Sequence, residues 1–256
     1  MLKILFTICG RAGSKGIKNK NIRDFCDFPL PYYSLAVIDM LHLTDLEYDC
    51  DIVASSDSNK LIDLVNENPF EKVYSIHRDE YLSGDTIPKI AVISDCLSQM
   101  EKKMQKKYDI VVDLDITSPL RTNLDLYNLI NKHITTGADV TTSVTESRRN
   151  PYFNMLISTK HGFKKVIDSD YTARQQAPEI YDMNASLYAY STEYLNTGKG
   201  VLDGYCECIK MYDTGILDLD HEGDFELMEI IAKYLFEHNE KFKELYKYLK
   251  GKCDLG

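Results

Sequence analysis

The chain of 256 residues is 44% hydrophobic, which is enough for one large α/β domain with its own core. Its 40 acidic and 30 basic side chains leave a formal charge of -10, which would repel nucleic acid, so we expect no nucleic-acid partner. No segment approaches the roughly 20 apolar residues of a membrane span, residues 4–8 are too short an apolar run for a signal peptide, and the seven cysteines lack disulfide or zinc spacing. We therefore expect a cytoplasmic protein with no membrane partner.

In the first half of the chain, short β-rich runs alternate with amphipathic stretches. Strands are predicted at residues 2–8, 51–55, 72–77 and 109–116, and helices at residues 31–41, 87–107 and 123–134, the last of them capped by Asn123. Strands that alternate with helices favour parallel pairing. We therefore expect an α/β fold that is Rossmann-like, with a mostly parallel sheet and helices on both faces.

The segment of residues 148–190 interrupts this alternation. Residues 152–159 and 163–167 are predicted as the two strands of a hairpin, because apolar and β-branched residues flank a turn that ends in glycine. We interpret the segment as a small inserted β-rich subdomain. Residues 1–147 and 191–256 then form the α/β domain.

The loop that follows the first predicted strand is rich in glycine and cations, and it reads Gly10-Arg11-Ala12-Gly13-Ser14-Lys15-Gly16-Ile17-Lys18-Asn19-Lys20-Asn21. Glycines let the backbone N–H groups approach an anion, and Arg11, Lys15 and Lys20 supply positive charge. The spacing fits neither a P-loop nor the dinucleotide fingerprint. Because ligands of open α/β sheets bind at the carboxyl ends of the strands, this loop is predicted to wrap a phosphate. The alternative is a solvated basic loop.

Two aspartates stand where a strand-like run at residues 208–219 ends, ahead of one predicted terminal helix at residues 224–250. Asp218 and Asp220 are two apart, so in an extended segment both carboxylates face the same side and can converge on one cation. Magnesium prefers oxygen ligands and is often completed by substrate phosphates. The sequence therefore predicts Mg²⁺ at Asp218 and Asp220. The alternative is that these acids only favour the positive end of the terminal helix.

The cationic loop, read as Arg11-x-Gly-Ser-Lys-Gly-x-x-x-Lys-Asn, resembles the N-terminal motif of the CMP-sugar synthetases, the cytidylyltransferases that act on sialic, legionaminic and pseudaminic acids. The resemblance continues through almost the whole chain, at Ser56-Asp57, at Arg78, at residues 82–86 and at residues 117–121. It implies an enzyme that transfers CMP from CTP to a nine-carbon acidic sugar, and it implies a homodimer, because the insert in this family usually reaches across to a second subunit.

The resemblance also implies roles for particular residues. Those that would hold the CTP phosphates or the metal, and so act in catalysis, are Arg11, Lys15, Lys20, Asp218 and Asp220. The nucleotide-binding residues would be Arg11, Gly13, Ser14, Lys15, Asn21, Arg78, Asp85 and Thr86. Because guanidinium groups suit a sugar carboxylate and amides suit hydroxyl and acetamido groups, the sugar-binding residues would be Asp115, Ser118, Arg121, Arg174, Gln176 and Asn184.

Two positions favour one branch of this family. Sialic acid synthetases commonly carry glutamine where this chain has Asp115 and arginine where it has Asp182, so the pattern resembles the legionaminic acid branch more closely. The same reaction on sialic, pseudaminic or another ulosonic acid stays open. So does a different class of protein, a catalytically silent nucleotide-binding module that retains the fold.

Overall fold

A seven-stranded β-sheet forms the centre of the structure, a computed structural model that describes residues 1–13, 16–84, 87–215, 219 and 221–254. In chain order, the described strands are β1 (Leu2–Cys9), β2 (Asp24–Phe25), β3 (Phe28–Pro29), β4 (Tyr48–Ser56), β5 (Val73–His77), β6 (Ile110–Leu114), β7 (Val140–Glu146), β8 (Leu156–Thr159), β9 (Gly162–Lys165), β10 (Tyr181–Ser191) and β11 (Cys206–Lys210). The order in the main sheet is β11-β7-β10-β6-β1-β4-β5, while β2 with β3 and β8 with β9 form two small sheets.

Most of the main sheet is parallel. Strand β1 pairs in parallel with β4 and β6, β4 pairs in parallel with β5, and β11 pairs in parallel with β7. Strand β10 runs antiparallel between β6 and β7. The predicted Rossmann-like, mostly parallel sheet is therefore confirmed, and the carboxyl ends of β1, β4 and β6 meet at one edge.

Helices cover both faces of the sheet, as predicted. They are α1 (Leu30–Asp39), α2 (Asn59–Asn66), α3 (Lys89–Met104), α4 (Asn123–Thr136), α5 (Thr192–Leu195), α6 (Glu222–His238) and α7 (Glu240–Cys253). Alternate residues of a strand face opposite sides, so Ile4 and Phe6 of β1 pack in the core on the α1 side, while Leu5 packs with Ile93 of α3 on the other side. Among the helices that the structure describes, none is long and apolar enough to cross a membrane.

Two helix boundaries differ from the prediction. Thr122, rather than Asn123, caps α4, because its side chain accepts from the backbone N–H of Asp125 while the Asp125 carboxylate accepts in return. The prediction of a single terminal helix is wrong, because Asn239 is extended, with φ -123 and ψ 115, and separates α6 from α7. Its side chain accepts from the backbone N–H of Lys241 at 3.2 Å, so one residue ends a helix and caps the next.

The second half of the sheet also differs from the sequence-based boundaries. Strand β7 was not foreseen, and Tyr181–Ser191, most of which lies inside the segment interpreted as an insert, forms a strand of the main sheet. The predicted hairpin does form, as the small β8–β9 sheet. The last strand, β11, ends at Lys210 instead of continuing to residue 219.

Candidate functional site

A cleft with a volume of about 400 Å³ lies at the carboxyl edge of β1, β4 and β6. The loop after β1 supplies one wall, the loop after β5 and the start of α3 supply another, and the segment after β6 closes the third side. The cleft is lined by Cys9, Gly10, Arg11, Gly16, Lys20, Asn21, Arg78, Leu82, Gly84, Ile87, Lys89, Val92, Asp115 and Thr117. Four of these side chains are cationic, so the cleft suits an anionic ligand although the chain is acidic overall.

Hydrogen bonds hold the glycine loop against the sheet. The backbone N–H of Gly10 donates to the carbonyl of Ser55 at 3.1 Å, and the backbone N–H of Ala12 donates to the Asp57 carboxylate at 2.7 Å. The side chain of Asn21 donates to the carbonyl of Arg11 at 3.0 Å and so closes the loop. These bonds fix the described ends of the loop at the cleft, and Arg11 and Asn21, two predicted nucleotide-binding residues, lie in the cleft wall.

The far end of this loop contacts the acidic segment near the carboxyl terminus. The ammonium of Lys20 donates to the backbone carbonyl of Leu219 at 2.6 Å. The predicted metal ligands Asp218 and Asp220 lie outside the described residues. Leu219, which stands between them in the sequence, is buried at 0% exposure, and its carbonyl is in contact with a lysine that lines the cleft.

Other residues of the predicted nucleotide site fall into two groups. Arg78 is buried at 7% exposure, and its guanidinium donates to the backbone carbonyl of Ser55 at 2.7 Å and to the Ser55 hydroxyl at 3.3 Å, so β4 holds it at the cleft. Gly13 is exposed on the loop. The remaining four predicted residues lie outside the described part of the chain, namely Ser14, Lys15, Asp85 and Thr86.

A charge cluster that the sequence analysis did not foresee stands inside the cleft. Lys89, the first residue of α3, places its ammonium 2.7 Å from a carboxylate oxygen of Asp113 and 2.7 Å from one of Asp115. Burial disfavours the charged form of Lys89, but the two carboxylates outweigh it and raise the pKa of the ammonium well above its ordinary value. The sequence did contain a signal for this cluster. A lysine at the amino end of a helix is unfavourable beside the helix dipole, so acidic partners from elsewhere in the fold are expected to stabilise it.

Asp115, a predicted sugar-binding residue, lines the cleft with its carboxylate already engaged. One oxygen faces Lys89, and the other accepts from the backbone N–H of Thr117 at 2.9 Å and from its hydroxyl at 2.7 Å. Burial alone would raise the pKa of Asp115, but Lys89 and Thr117 lower it to about 2. Asp115 is therefore a fixed anion at the cleft surface, and it is too weak a base to accept a proton at neutral pH.

Cys9 also lines the cleft, at the end of β1. A hydrogen bond with Cys96, together with burial, raises the pKa of the Cys9 thiol well above its ordinary value. A thiol in this state is protonated at neutral pH and is a poor nucleophile. The cleft is therefore arranged for binding and positioning rather than for covalent catalysis by cysteine.

The prediction that Arg121 contacts the sugar disagrees with its position. Arg121 is fully buried at 0% exposure, and its guanidinium donates to the backbone carbonyl of Ser186 at 2.7 Å, to the Ser34 hydroxyl at 2.5 Å and to the backbone carbonyl of Asp115 at 2.6 Å. Burial lowers the pKa of Arg121 to about 10. Arg121 therefore ties α1, β10 and the segment after β6 together from inside the core.

Asn184, also predicted to bind the sugar, is buried and has a structural role similar to that of Arg121. It is 8% exposed at an irregularity of β10, next to Ala185, which has a φ of 51. Its carbonyl oxygen accepts from the Ser143 hydroxyl at 2.5 Å, and its amide nitrogen faces the Met211 sulfur at 3.5 Å. Ser118, also predicted to bind sugar, is half-buried and is not part of the cleft lining, whereas its neighbour Thr117 is.

The two other predicted sugar-binding residues lie away from the cleft. Arg174 lines a separate cavity of about 430 Å³ beside the hairpin segment, where it donates to the backbone carbonyl of Ser147 at 2.9 Å. Gln176 is exposed, and its side-chain oxygen accepts from the backbone of Thr172 and Ala173. Within one copy of the described chain, these residues do not line the cleft with Asp115.

A magnesium ion would need oxygen ligands in the cleft. Among the described residues, no group of three or more histidine, cysteine or acidic side chains could hold a metal ion. Asp113 and Asp115 have the right chemistry, but their oxygens already bind Lys89, Thr7 and Thr117. This pair therefore does not fit a metal ion as it stands, and the predicted ligands Asp218 and Asp220 lie outside the described residues.

A cation-rich glycine loop at the carboxyl edge of a Rossmann-like sheet is the arrangement of an α/β nucleotide-binding protein. Residues 5–252 match the model of the cytidylyltransferase family, so the chain belongs to this family of nucleotidyltransferases.

Comparisons with individual proteins agree with this family. The chain is 34% identical over 236 residues to the post-translational flagellin modification protein B of Campylobacter coli, over 91% of this chain and 96% of that protein. It is 31% identical over 231 residues to the CMP-N,N'-diacetyllegionaminic acid synthase of Campylobacter jejuni, over 90% and 95%. A solved structure of CMP:2-keto-3-deoxy-manno-octonic acid synthetase complexed with CTP shares the fold, with a TM-score of 0.62 and 14% identity over 91% of this chain and 99% of that one.

Proposed function

We propose that this chain transfers CMP from CTP to the anomeric hydroxyl of a nine-carbon acidic sugar of the legionaminic acid type and releases pyrophosphate. The relative from Campylobacter jejuni, whose name states CMP-N,N'-diacetyllegionaminic acid synthesis, matches over nine tenths of the chain. The observation that carries the proposal is the Lys20–Leu219 hydrogen bond, because it joins the cationic glycine loop of the cleft to Leu219, the residue that two aspartates flank in the sequence.

The cations of the cleft have a direct role in such a transfer. Attack of the sugar hydroxyl on the α-phosphorus places growing negative charge on the departing pyrophosphate, and fixed positive charges stabilise it. Arg11, Lys20 and Arg78 lie in the cleft wall and can bind phosphate oxygens, and Lys15 belongs to the same loop. Asp218 and Asp220 would hold Mg²⁺, which would supply further positive charge against the phosphates.

For the acceptor sugar, Asp115 and Thr117 present oxygen atoms at the opposite wall of the cleft. Arg174 and Gln176 lie outside the cleft of their own chain, so they can contribute to sugar binding if the insert reaches the cleft of a second copy. We therefore include a homodimer in the proposal, with the insert as the contact between subunits. The cytoplasm, where CTP is made, is the proposed location.

The test is a reaction of the purified chain with CTP, Mg²⁺ and a panel of acids that includes N,N'-diacetyllegionaminic, sialic and pseudaminic acids. We expect pyrophosphate release with at least one of them, and a product whose mass equals the sugar plus CMP less one water. Asp220→Asn should abolish turnover with no change in thermal unfolding. If turnover occurred only with an eight-carbon acid, the proposed nine-carbon substrate would be wrong.

The competing function is a nucleotide-binding module without catalysis. Calorimetry with CTP separates it from the enzyme, since a module would bind CTP while no sugar of the panel yields pyrophosphate. The protonated thiol of Cys9 and the weakly basic carboxylate of Asp115 are no argument for the module without catalysis. A transfer that depends on positioning and charge needs neither a thiolate nor a strong base.

A further inference from the structure

The cluster of Lys89, Asp113 and Asp115 has a feature that the proposed reaction does not by itself explain. The two aspartates are two apart at the carboxyl end of β6, so their carboxylates share the side of the strand that faces Lys89. Paired carboxylates beside a phosphate site are the usual ligands of Mg²⁺. In this protein, an ammonium group stands between them.

Every carboxylate oxygen of the pair lies against a polar group of the protein, although the buried Oδ2 of Asp113 has an ion pair with Lys89 and no hydrogen bond. One oxygen of Asp113 accepts from the Thr7 hydroxyl at 2.7 Å, and one oxygen of Asp115 accepts from Thr117. The remaining oxygen of each carboxylate faces the Lys89 ammonium at 2.7 Å. A divalent ion could join this pair only by displacing Lys89 from a site where two negative charges hold it.

The cluster presents only one side to the cleft. Asp113 has 0% of its side chain exposed, whereas Lys89 has 33% and Asp115 has 23%. An ammonium has three N–H donors. Within the described part of the chain, the Lys89 ammonium donates to Asp115 and lies 2.7 Å from Asp113 as an ion pair. The cleft surface therefore combines an N–H donor with a carboxylate edge, which together can bind a hydroxyl group that both accepts and donates.

We propose that Lys89 takes the place of a divalent cation between Asp113 and Asp115, so that Asp115 faces the cleft as a metal-free carboxylate that Lys89 positions for a hydroxyl of the acceptor sugar. Lys89 is thus a positioning residue. The part that concerns the acceptor rests on the proposed function. The part that concerns the metal does not.

The metal part is tested by counting Mn²⁺ sites in the protein without nucleotide, using the paramagnetic signal of free Mn²⁺. Wild type and Asp115→Asn should bind the same number of ions, because the pair holds none. Lys89→Met should bind one more, Lys89→Arg should not, and the double variant Lys89→Met with Asp115→Asn should return to the wild-type number. A loss of one ion in Asp115→Asn, or an unchanged number in Lys89→Met, would overturn the proposal.

The wild-type and Asp115→Asn comparison decides the metal part even if Lys89→Met does not fold. The acceptor part is tested by kinetics. Lys89→Met should raise the KM of the acceptor sugar by about tenfold, with a smaller change in the KM of CTP. Lys89→Arg, which keeps the positive charge, should have a KM for the acceptor close to that of wild type.

Lys106 offers a matched control, because its ammonium bridges Asp49 and Asp51 in the same way, at 3.0 and 2.7 Å, at the opposite end of the sheet. Lys106→Met should leave the KM of the acceptor unchanged, and an equal rise in both variants would overturn the positioning role. If wild type shows no turnover with any acid, the proposed reaction fails while the Mn²⁺ count still decides the role of Lys89.

Discussion

The Lys20 ammonium donates a 2.6 Å hydrogen bond to the backbone carbonyl of Leu219, although the two residues are 199 positions apart in the chain. Lys20 lies at the end of the glycine loop and lines the cleft, and Leu219 lies between two aspartates. This bond therefore connects the cationic loop of the cleft to Leu219, which is distant in the sequence.

Replacing Lys20 should impair the reaction more than the fold. Lys20→Met removes a charge-assisted hydrogen bond and the proposed phosphate contact, so we expect kcat/KM for CTP to fall by about ten- to a hundredfold. Lys20 is only half-buried, so the thermal midpoint should change little. Lys18→Met is the control, since Lys18 is exposed on the same loop. Equal losses in both variants would show that the loop acts only through its total charge.

Replacing Arg121, in contrast, should lower the stability of the fold more than the activity. Arg121→Met removes the buried guanidinium that donates to the carbonyls of Asp115 and Ser186 and to the Ser34 hydroxyl, so we expect a loss of about 3–5 kcal/mol in the free energy of unfolding. Arg121→Lys should lose nearly as much, because an ammonium cannot span the same three groups as the planar guanidinium. Urea unfolding checks this. Normal stability with a raised KM for the sugar would restore the predicted sugar contact.

The parts of the fold that were predicted correctly depend on local patterns. Strands β1 and β6 are short apolar runs followed by turns, and buried parallel strands look like this in any sequence. Strand β10 was missed because polar residues and the irregularity at Ala185 break its alternation. The break at Asn239 was missed because the apolar periodicity continues across it, and only the cap geometry separates the two helices.

In the candidate site, too, the features that depend on local sequence were predicted and those that depend on distant contacts were not. The glycine loop was predicted because its residues act together over a short stretch of chain. Arg121 and Asn184 stand in stretches that resemble family motifs, but a motif does not state whether a side chain faces the cleft or the core. Lys89 was missed because its function depends on Asp113 and Asp115, which follow it by more than twenty positions and meet it only in the folded chain.

Two glycines of the same loop should respond differently to alanine. A Cβ at Gly10 would lie 2.5 Å from Leu61 Cδ2 and 2.9 Å from Ile116 Cδ1, both in the buried core, so Gly10→Ala should lose about 1–3 kcal/mol of stability. A Cβ at Gly13 would meet nothing within 4 Å, so Gly13→Ala should change stability by less than about 1 kcal/mol. If the Gly13 backbone approaches a phosphate, its variant should still bind CTP more weakly. Thermal unfolding and CTP calorimetry measure both effects, and equal stability of the two variants would contradict the packing argument.

His133 should make the protein less stable in mild acid. It is 3% exposed and its Nδ1 lies 2.9 Å from the Thr141 hydroxyl, and burial lowers its pKa from 6.5 to about 4. Between these values the unfolded chain binds a proton that the folded chain does not, so stability falls by about 3 kcal/mol as the pH drops from 6.5 to 4 and then by no more. Urea unfolding of wild type and His133→Gln at both pH values isolates this contribution. An imidazole titration of His133 near 6.5 by NMR would contradict it.

The β8–β9 hairpin should form the proposed contact between two copies of the chain. Leu156 is 62% exposed and Phe163 is 74% exposed, and a two-stranded hairpin with outward apolar residues is marginally stable unless another surface covers it. Phe163→Glu should therefore convert a dimer into a monomer, with a mass by light scattering that falls from twice the chain mass to 29.4 kDa. Leu202→Glu is the control, because Leu202 is 63% exposed outside the hairpin, and its variant should stay dimeric. A wild type that is monomeric at micromolar concentration, or a Phe163→Glu variant that keeps the dimer mass, would exclude the hairpin as the contact.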